Sequence, residues 1–557
     1  MKKFLKKYIL ECSLLTLTLV FITLCLLPLL KSGYYSDDLI NSLYKAKLKF
    51  NNINFFLYFP SQILPSLIAT NRPNLVSAIS GFLLYFLNND LVFYKIYVLS
   101  LILINAGLFW YYLKTITSKK LNFIYLLLLP LLFQFRLFHD PILSFYGMEQ
   151  FFVIYILICL IFLEQYLKKN QIRDLLISVF FFNIFLYSYE VAFLFLITIF
   201  CTIIFENKNF LKTLKKILPY LICQIIYFVF FYLIKLMPKE ALGQSYTGTE
   251  INLNLPLILK TFAIQITSAF PLAYFFSKQG FIFCHNISCL ISNIKVLDIF
   301  LIIIFNLLLY FVYLKEEFTK INIKAIFIGT TLLVFPAILV SLTVKYQGEL
   351  INRGWGIGYL VIYIEYFGMA VLLGQLISYI GSIKNNFLNI AVFLVLNLIL
   401  IINLQNNRII VDKANIDLKY RRQTFEQGFK KGLLKTVPDS SAILIIDNYK
   451  YDPYNYNSET KVWAYSYPWK NEFFVYEYSQ KRLSIFTKTE DFIKSNKTQK
   501  YLLILNSFDE KYKNPNGYLL LGKIRTINNT NNKKKATFSI ESWLVYNPTD
   551  IKTTSNY

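Results

Sequence analysis

The chain has 557 residues, 56% hydrophobic and 18% aromatic, with a mean hydropathy of +0.48, which excludes an ordinary water-soluble domain. Its formal charge of +25 lies in lysines between apolar runs and in a Lys/Asn/Tyr-rich tail. No basic motif with interleaved aromatics accompanies that charge, so nucleic acid is set aside as a partner. Apolar runs of about 16–23 residues recur, close to the ~20 needed to cross a hydrocarbon core. The fold class this implies is an α-helical polytopic membrane protein with about eleven transmembrane helices over residues 1–405. A small extracytoplasmic mixed α/β domain follows over residues 406–557.

Lys2, Lys3, Lys6 and Lys7 precede an apolar run from about residue 8 to 30. That run is too long for a signal-peptide core and no small-x-small site follows it, so it reads as an uncleaved first helix with its lysines in the cytoplasm. Directly behind it Gly33-Tyr34-Tyr35-Ser36-Asp37-Asp38 opens a first exterior loop, residues 31–90. Residues 37–50 have helical spacing, with Leu39, Ile40, Leu43, Tyr44 and Leu48 on one face and Asp38, Asn41, Ser42, Lys45 and Lys49 on the other. This suits a helix lying in the membrane interface. Ser36, Asp37 and Asp38 also suit the N-cap and first turn of that helix. Asn71-Arg72-Pro73 and a short apolar segment near 75–87 complete the loop.

A span over about 91–113 ends in Lys114 and Lys119-Lys120. The segment from Leu121 to Leu167 lies between lysines at both ends, so its middle, Arg136-Leu137-Phe138-His139-Asp140-Pro141, is expected to be an outer turn. Residues 174–206, between Arg173 and Lys208, are long for one span and fold as two short helices with Glu190 near the tip. A span at 217–236 leads to an exterior stretch, 237–296, carrying residues 245–249, and a span at 297–314 returns. Residues 325–383 turn outside from Lys345-Tyr346-Gln347-Gly348-Glu349 through Arg353-Gly354-Trp355-Gly356, and a last span at 387–404 goes out. In the tail, 412–436 reads as helical, and strands are expected at 442–446, 473–476, 501–505 and 536–540.

Of seven cysteines, Cys12, Cys25, Cys159, Cys201 and Cys223 lie in apolar runs as small hydrophobes. Cys284 and Cys289 share a polar-flanked loop, where free thiols and a local disulfide both stay open. With His285 they give too few ligands for zinc.

Ionisable side chains at membrane depth are costly, and therefore rarely accidental. Lysine bracketing puts Asp37, Asp38, Arg72, Arg136, His139, Asp140, Glu190, Lys345, Glu349 and Arg353 on one face, from five segments. An outward-facing site assembled from loop tips follows, with a proton-abstracting carboxylate and cations suited to a phosphate. Plainer roles stand beside it. Asp140 before Pro141 is a turn signal. Arg72, Arg136 and Lys345 suit headgroup anchors. Glu190 suits a helix-joining hydrogen bond.

A long hydrophobic chain, an Asp pair in the first exterior loop and a C-terminal exterior domain together resemble the GT-C class of membrane glycosyltransferases. His139-Asp140-Pro141, Tyr189-Glu190, and Lys345-Tyr346-Gln347 followed by Gly358-Tyr359-Leu360 are similar to bacterial multispanning proteins of that type. The resemblance implies inverting transfer of a hexosyl or pentosyl group from a polyprenyl-phosphate carrier. The acceptor would be a glycan, lipid or protein of the cell envelope, at the outer face of a bacterial inner membrane. Asp37 or Asp38, which match equally, would be the general base. Arg72, Arg136, His139, Asp140, Glu190, Lys345, Tyr346, Gln347 and Arg353 would bind substrate and lipid phosphate. Some members of the class use a divalent cation, for which Asp37, Asp38 and Asp140 would be hard ligands, although no dedicated metal motif is visible. The rival reading is a transporter, a flippase or a non-catalytic assembly scaffold. A transporter would place charges near the midplane in broken helices and often show inverted repeats.

Overall fold

A computed structural model of the chain describes residues 2–58, 63, 67–68, 72–87, 90–117, 122–137, 139–206, 210–236, 250–278, 287–315, 321–383, 385–448, 471–507, 517–529 and 536–547. Residues 245–249, Cys284, His285 and the Cys289 side chain fall outside them. The chain opens with α1 (Lys2–Cys25), the short α2 (Asp38–Asn41) and α3 (Tyr44–Phe50), then α4 (Leu75–Leu87) and α5 (Leu91–Thr117). Next come α6 (Phe123–Leu132), α7 (Met148–Lys169), α8 (Ile172–Leu186), α9 (Ala192–Glu206), α10 (Phe210–Leu236), α11 (Leu255–Ser268) and α12 (Val296–Lys315). The helical part closes with α13 (Ile323–Leu342), α14 (Val344–Arg353), α15 (Ile362–Ser382) and α16 (Asn386–Asn415).

Two compact units result. One comprises Met1–Lys31, Phe59–Leu84 and Val92–Val411; the other comprises Ser32–Tyr58, Tyr85–Leu91 and Asp412–Tyr557.

In the first unit, six helices among the described residues are long and apolar enough to cross a membrane: α5, α7, α10, α13, α15 and α16. Further helices, α1, α4, α6, α9, α11 and α12, carry shorter apolar stretches of 10–17 residues, so among the described residues six helices of membrane length stand against the eleven spans expected. Residues 174–206 do form two short helices, α8 and α9, of 15 residues each, with Glu190 between them. Residues 345–353, expected in a turn, form the helix α14, with Gly354 (φ 89°) ending it. Gly329 on α13 and Gly368 on α15 let these two helices meet. A Cβ at Gly368 would stand 2.6 Å from the Gly329 carbonyl oxygen, the small-residue contact that closely packed membrane helices use.

The segment between α6 and α7 is the structural exception. Residues 133–137 and 139–144 are non-helical, and nearly all of them are buried. Irregular backbone survives in such surroundings only if its polar groups find partners in the protein. Asn403 Nδ2 donates to the carbonyls of Pro130 and Phe133 at 2.7 and 3.0 Å. Asn407 accepts from the Phe135 N–H at 2.7 Å and donates to the Phe133 carbonyl at 2.8 Å. Tyr274 accepts from Leu137 N–H at 3.1 Å, and the Asp140 carboxylate takes three further N–H groups.

The second unit carries α17 (Arg421–Lys430), α18 (Glu472–Ser479), α19 (Thr489–Lys494) and five strands: β1 (Ala442–Asn448), β2 (Ser484–Phe486), β3 (Lys500–Ser507), β4 (Gly517–Asn529) and β5 (Ala536–Tyr546). The sheet order is β2-β1-β3-β4-β5, parallel across β2-β1-β3 and antiparallel thereafter. Period-two burial explains why both sheet faces are covered. Ile443, Ile445, Leu503 and Leu505 pack with Phe425, Phe429, Phe474 and Val475, whereas Ala442, Leu444 and Leu502 pack with Phe492. Three of the four expected strands are present. The run 473–476 is instead helix α18, opened by Asn471, whose side chain accepts from Phe473 N–H. Its aromatic residues are drawn to the sheet face from a helix, so apolar content misled the strand reading.

The first loop belongs to this second unit. Leu43 enters the core formed by α17 and the sheet, and the Phe50 ring meets Phe473 and Tyr476 edge-on at 5.3 and 5.4 Å. The expectation of one apolar and one polar face is therefore corrected. Asp38 and Ser42, from the expected polar face, are buried, and Ile40, from the apolar face, is 45% exposed.

Candidate functional site

The Asp pair splits. Ser36 adopts φ 51°, a left-handed conformation uncommon for a residue with a Cβ, and the turn it makes sends the two carboxylates different ways. Asp37 is exposed and Asp38 is buried. Asp37 occupies the N-cap position of α2 but makes no side-chain capping bond, so the capping role expected for it is not the one it plays.

Asp38 accepts a short hydrogen bond from the Tyr85 hydroxyl, which also receives Asn41 Nδ2 at 3.4 Å. Tyr34 lies beside it, and burial pushes its phenol up to about 12, tempered by the Arg422 guanidinium. Arg422 is itself buried, stacked on Tyr34 at 4.4 Å, donating to Ser42 Oγ at 2.9 Å and paired with Glu426 at 2.7 Å. Burial is the largest single influence and disfavours its charge, but Glu426, Tyr478 and Tyr34 together outweigh it and hold the guanidinium firmly protonated. Tyr478 donates to the same Glu426 oxygen at 2.7 Å. Two carboxylates, an arginine and three tyrosines thus fix the turn that presents Asp37.

In the membrane unit, residues from several of the expected segments converge. Arg72 grips Glu190 through two N–H···O bonds of 2.7 and 2.8 Å and lies 5.4 Å from the Tyr189 ring. Burial pushes Glu190 up, but the Arg72 guanidinium prevails and holds its carboxyl below the usual range. Tyr189 stacks on Phe152 of α7 at 5.0 Å and feels Tyr346, Glu149, Arg72 and Glu190. Tyr346 meets Tyr359 at 4.2 Å, and Tyr359 meets His139 at 5.6 Å. His139, in a left-handed conformation (φ 42°), is held neutral by burial and by the cations Arg353 and Lys345. A neutral imidazole between two cations marks positive potential, the field an anionic group prefers.

Three other expected site residues, Gln347, Arg136 and Asp140, bind backbone groups. Gln347 donates to the carbonyls of Asn252 and Ser341 at 3.1 and 2.8 Å and accepts from Asn252 Nδ2, tying α14 to the chain before α11. Arg136, 1% exposed, donates Nη2 to the Ser268 carbonyl and lies against the rings of Tyr274 and Tyr366. Asp140 uses its two oxygens on the backbone of its own turn, and burial raises its carboxyl to about 6 despite those bonds. Among the described residues no group of three His, Cys, Asp or Glu side chains is placed to hold a metal ion.

Sequence reasoning missed Tyr85, Arg422, Glu426, Glu149 and Glu365. The last two are acidic residues inside apolar runs, a signal that was available. Tyr85 sits in a plain apolar segment and gave none. No protein-family model and no curated protein matches the chain.

Proposed function

We propose that the chain is a GT-C-like membrane glycosyltransferase that moves a sugar from a polyprenyl-phosphate carrier to a cell-envelope acceptor. The observation that carries the reading is the split Asp pair directly behind the first apolar helix: one carboxylate exposed, its neighbour buried on Tyr85 in the unit that holds the α/β sheet. Asp37 has the exposure a general base needs to meet an acceptor hydroxyl, and Asp38 positions it. The acceptor O–H gives its proton to Asp37 while its oxygen attacks the anomeric carbon. The bond from that carbon to the phosphate oxygen breaks, polyprenyl phosphate leaves with the electron pair, and configuration inverts. Asp37 then loses its proton to water. Within the membrane unit itself, Lys345 and Arg353 beside neutral His139 are suited to an anionic group.

The reading includes about eleven spans, a cytoplasmic N-terminus, an outward C-terminal domain and a bacterial inner membrane. Single-cysteine labelling with an impermeant reagent would then reach position 481 and spare position 212; the reverse pattern overturns this orientation. The decisive assay is release of polyprenyl phosphate from a lipid-linked sugar by purified protein. Its absence with a panel of carriers and acceptors would defeat the enzyme reading.

A transporter or flippase is the second reading. It is favoured by Glu149 and Glu365, carboxylates buried within helices of membrane length. It requires carrier movement across a vesicle membrane without release of polyprenyl phosphate.

A further inference from the structure

Glu149 stands in the first turn of α7, 1% exposed, and among the described residues neither of its carboxylate oxygens has a hydrogen-bond partner. Three residues in left-handed conformations, Phe145, Tyr146 and Gly147 (φ 61°, 55° and 73°), turn the chain into that helix. The one cation whose charge acts on it, Arg72, gives two N–H groups to Glu190 instead. The field of Arg72 reaches Glu149, and the field of Glu149 reaches Tyr189, Tyr363 and a second buried carboxylate, Glu365. His139 and Asp140 lie on the segment that leads into α7, and Tyr94 and Tyr146 meet at the turn before it.

An ionised carboxylate out of water and without a donor costs several kcal/mol, and a second carboxylate in its field adds to that. A bound proton removes the cost with no further ligand, whereas a metal ion would need more oxygen donors than converge here. We propose that Glu149 is a proton-binding site of the membrane unit, a neutral carboxylic acid in the resting protein. This goes beyond the transfer chemistry above, in which Glu149 has no part.

The test is infrared spectroscopy of the full chain in lipid at about pH 8, where ordinary carboxylates are ionised. A carbonyl band of a protonated acid, shifted by deuterium exchange, is expected in the wild type and in Glu365→Gln. One component of it should be lost in Glu149→Gln, which should fold and melt like the wild type, and any component left there should be the one that Glu365→Gln removes. An unchanged band in Glu149→Gln overturns the proposal. So does a Glu149→Gln protein that fails to fold while Glu149→Asp folds, because the site would then require the charge.

Discussion

Tyr85 donates its hydroxyl to the buried carboxylate of Asp38, while Asp37, one residue earlier, faces outward. This contact gives the two acidic residues separable roles. Asp37→Asn keeps shape but cannot take a proton, so sugar transfer should fall by about 10²–10⁴ with unchanged thermal stability. Tyr85→Phe removes a buried donor and should cost ~1–3 kcal/mol in unfolding, with a smaller effect on transfer. Near-normal transfer by Asp37→Asn would remove Asp37 as the base.

The Arg72–Glu190 pair is largely shielded, with the two side chains 16% and 22% exposed. Removing one partner strands the other, so Glu190→Gln or Arg72→Leu should each destabilise by ~2–4 kcal/mol, and the double change to leucine by less than their sum. The sign with pH follows from the lowered Glu190 carboxyl. The unfolded state takes up this proton first as pH falls, so the pair's stabilisation is complete above the usual glutamate range. It is lost on descending through that range to the lower folded value. Melting curves from neutral to acid pH should show this slope in the wild type and lack it in Glu190→Gln.

Arg422 joins α17 to the first-loop segment through Ser42 and the Tyr34 ring. Lysine has no planar fork to reproduce that geometry, so Arg422→Lys should cost ~1–3 kcal/mol. Faster amide hydrogen exchange over residues 38–50 would be the direct signature. Unchanged exchange there would show that Leu43 and Phe50 suffice to hold the segment.

Apolar run length made the helices readable, short unbroken apolar runs made β1 and β3 readable and alternation made β5 readable, because all are local signals. Glu190 between two short helices was legible for the same reason: a run of that length has to break. The fate of residues 37–50 was not. An amphipathic pattern states that one face is buried but not against what, and here Leu43 is taken by a protein core rather than a lipid surface. The tertiary partner also turned the expected polar face inward, since Arg422 compensates Ser42 and Tyr85 compensates Asp38. Gln347 and Arg136 stood out as polar groups in a hydrophobic chain, but the distant carbonyls they hold, of Asn252, Ser341 and Ser268, are partners that no short sequence window reveals.

Asp140 gives the sharpest test of that irregular backbone. Its Oδ1 accepts from Ile142 N–H and Leu143 N–H at 2.7 and 2.6 Å, and its Oδ2 accepts from Arg136 N–H. Asparagine has one acceptor oxygen, so Asp140→Asn must face its amide N–H₂ toward at least one backbone N–H. The buried donor left over should cost ~1–3 kcal/mol at neutral pH. The pH dependence separates this from a general loss of packing. Burial raises the folded carboxyl from 3.8 to about 6, so between those values the folded state holds a proton that the unfolded state has released. Stability from this group is therefore full below 3.8 and declines as pH rises to about 6. The wild type should gain stability over the mutant on acidification through that window, as read by denaturant unfolding at fixed ionic strength. A wild-type-to-mutant difference that stays flat from neutral to acid pH would mean that Asp140 keeps its charge throughout, held by its three backbone N–H bonds.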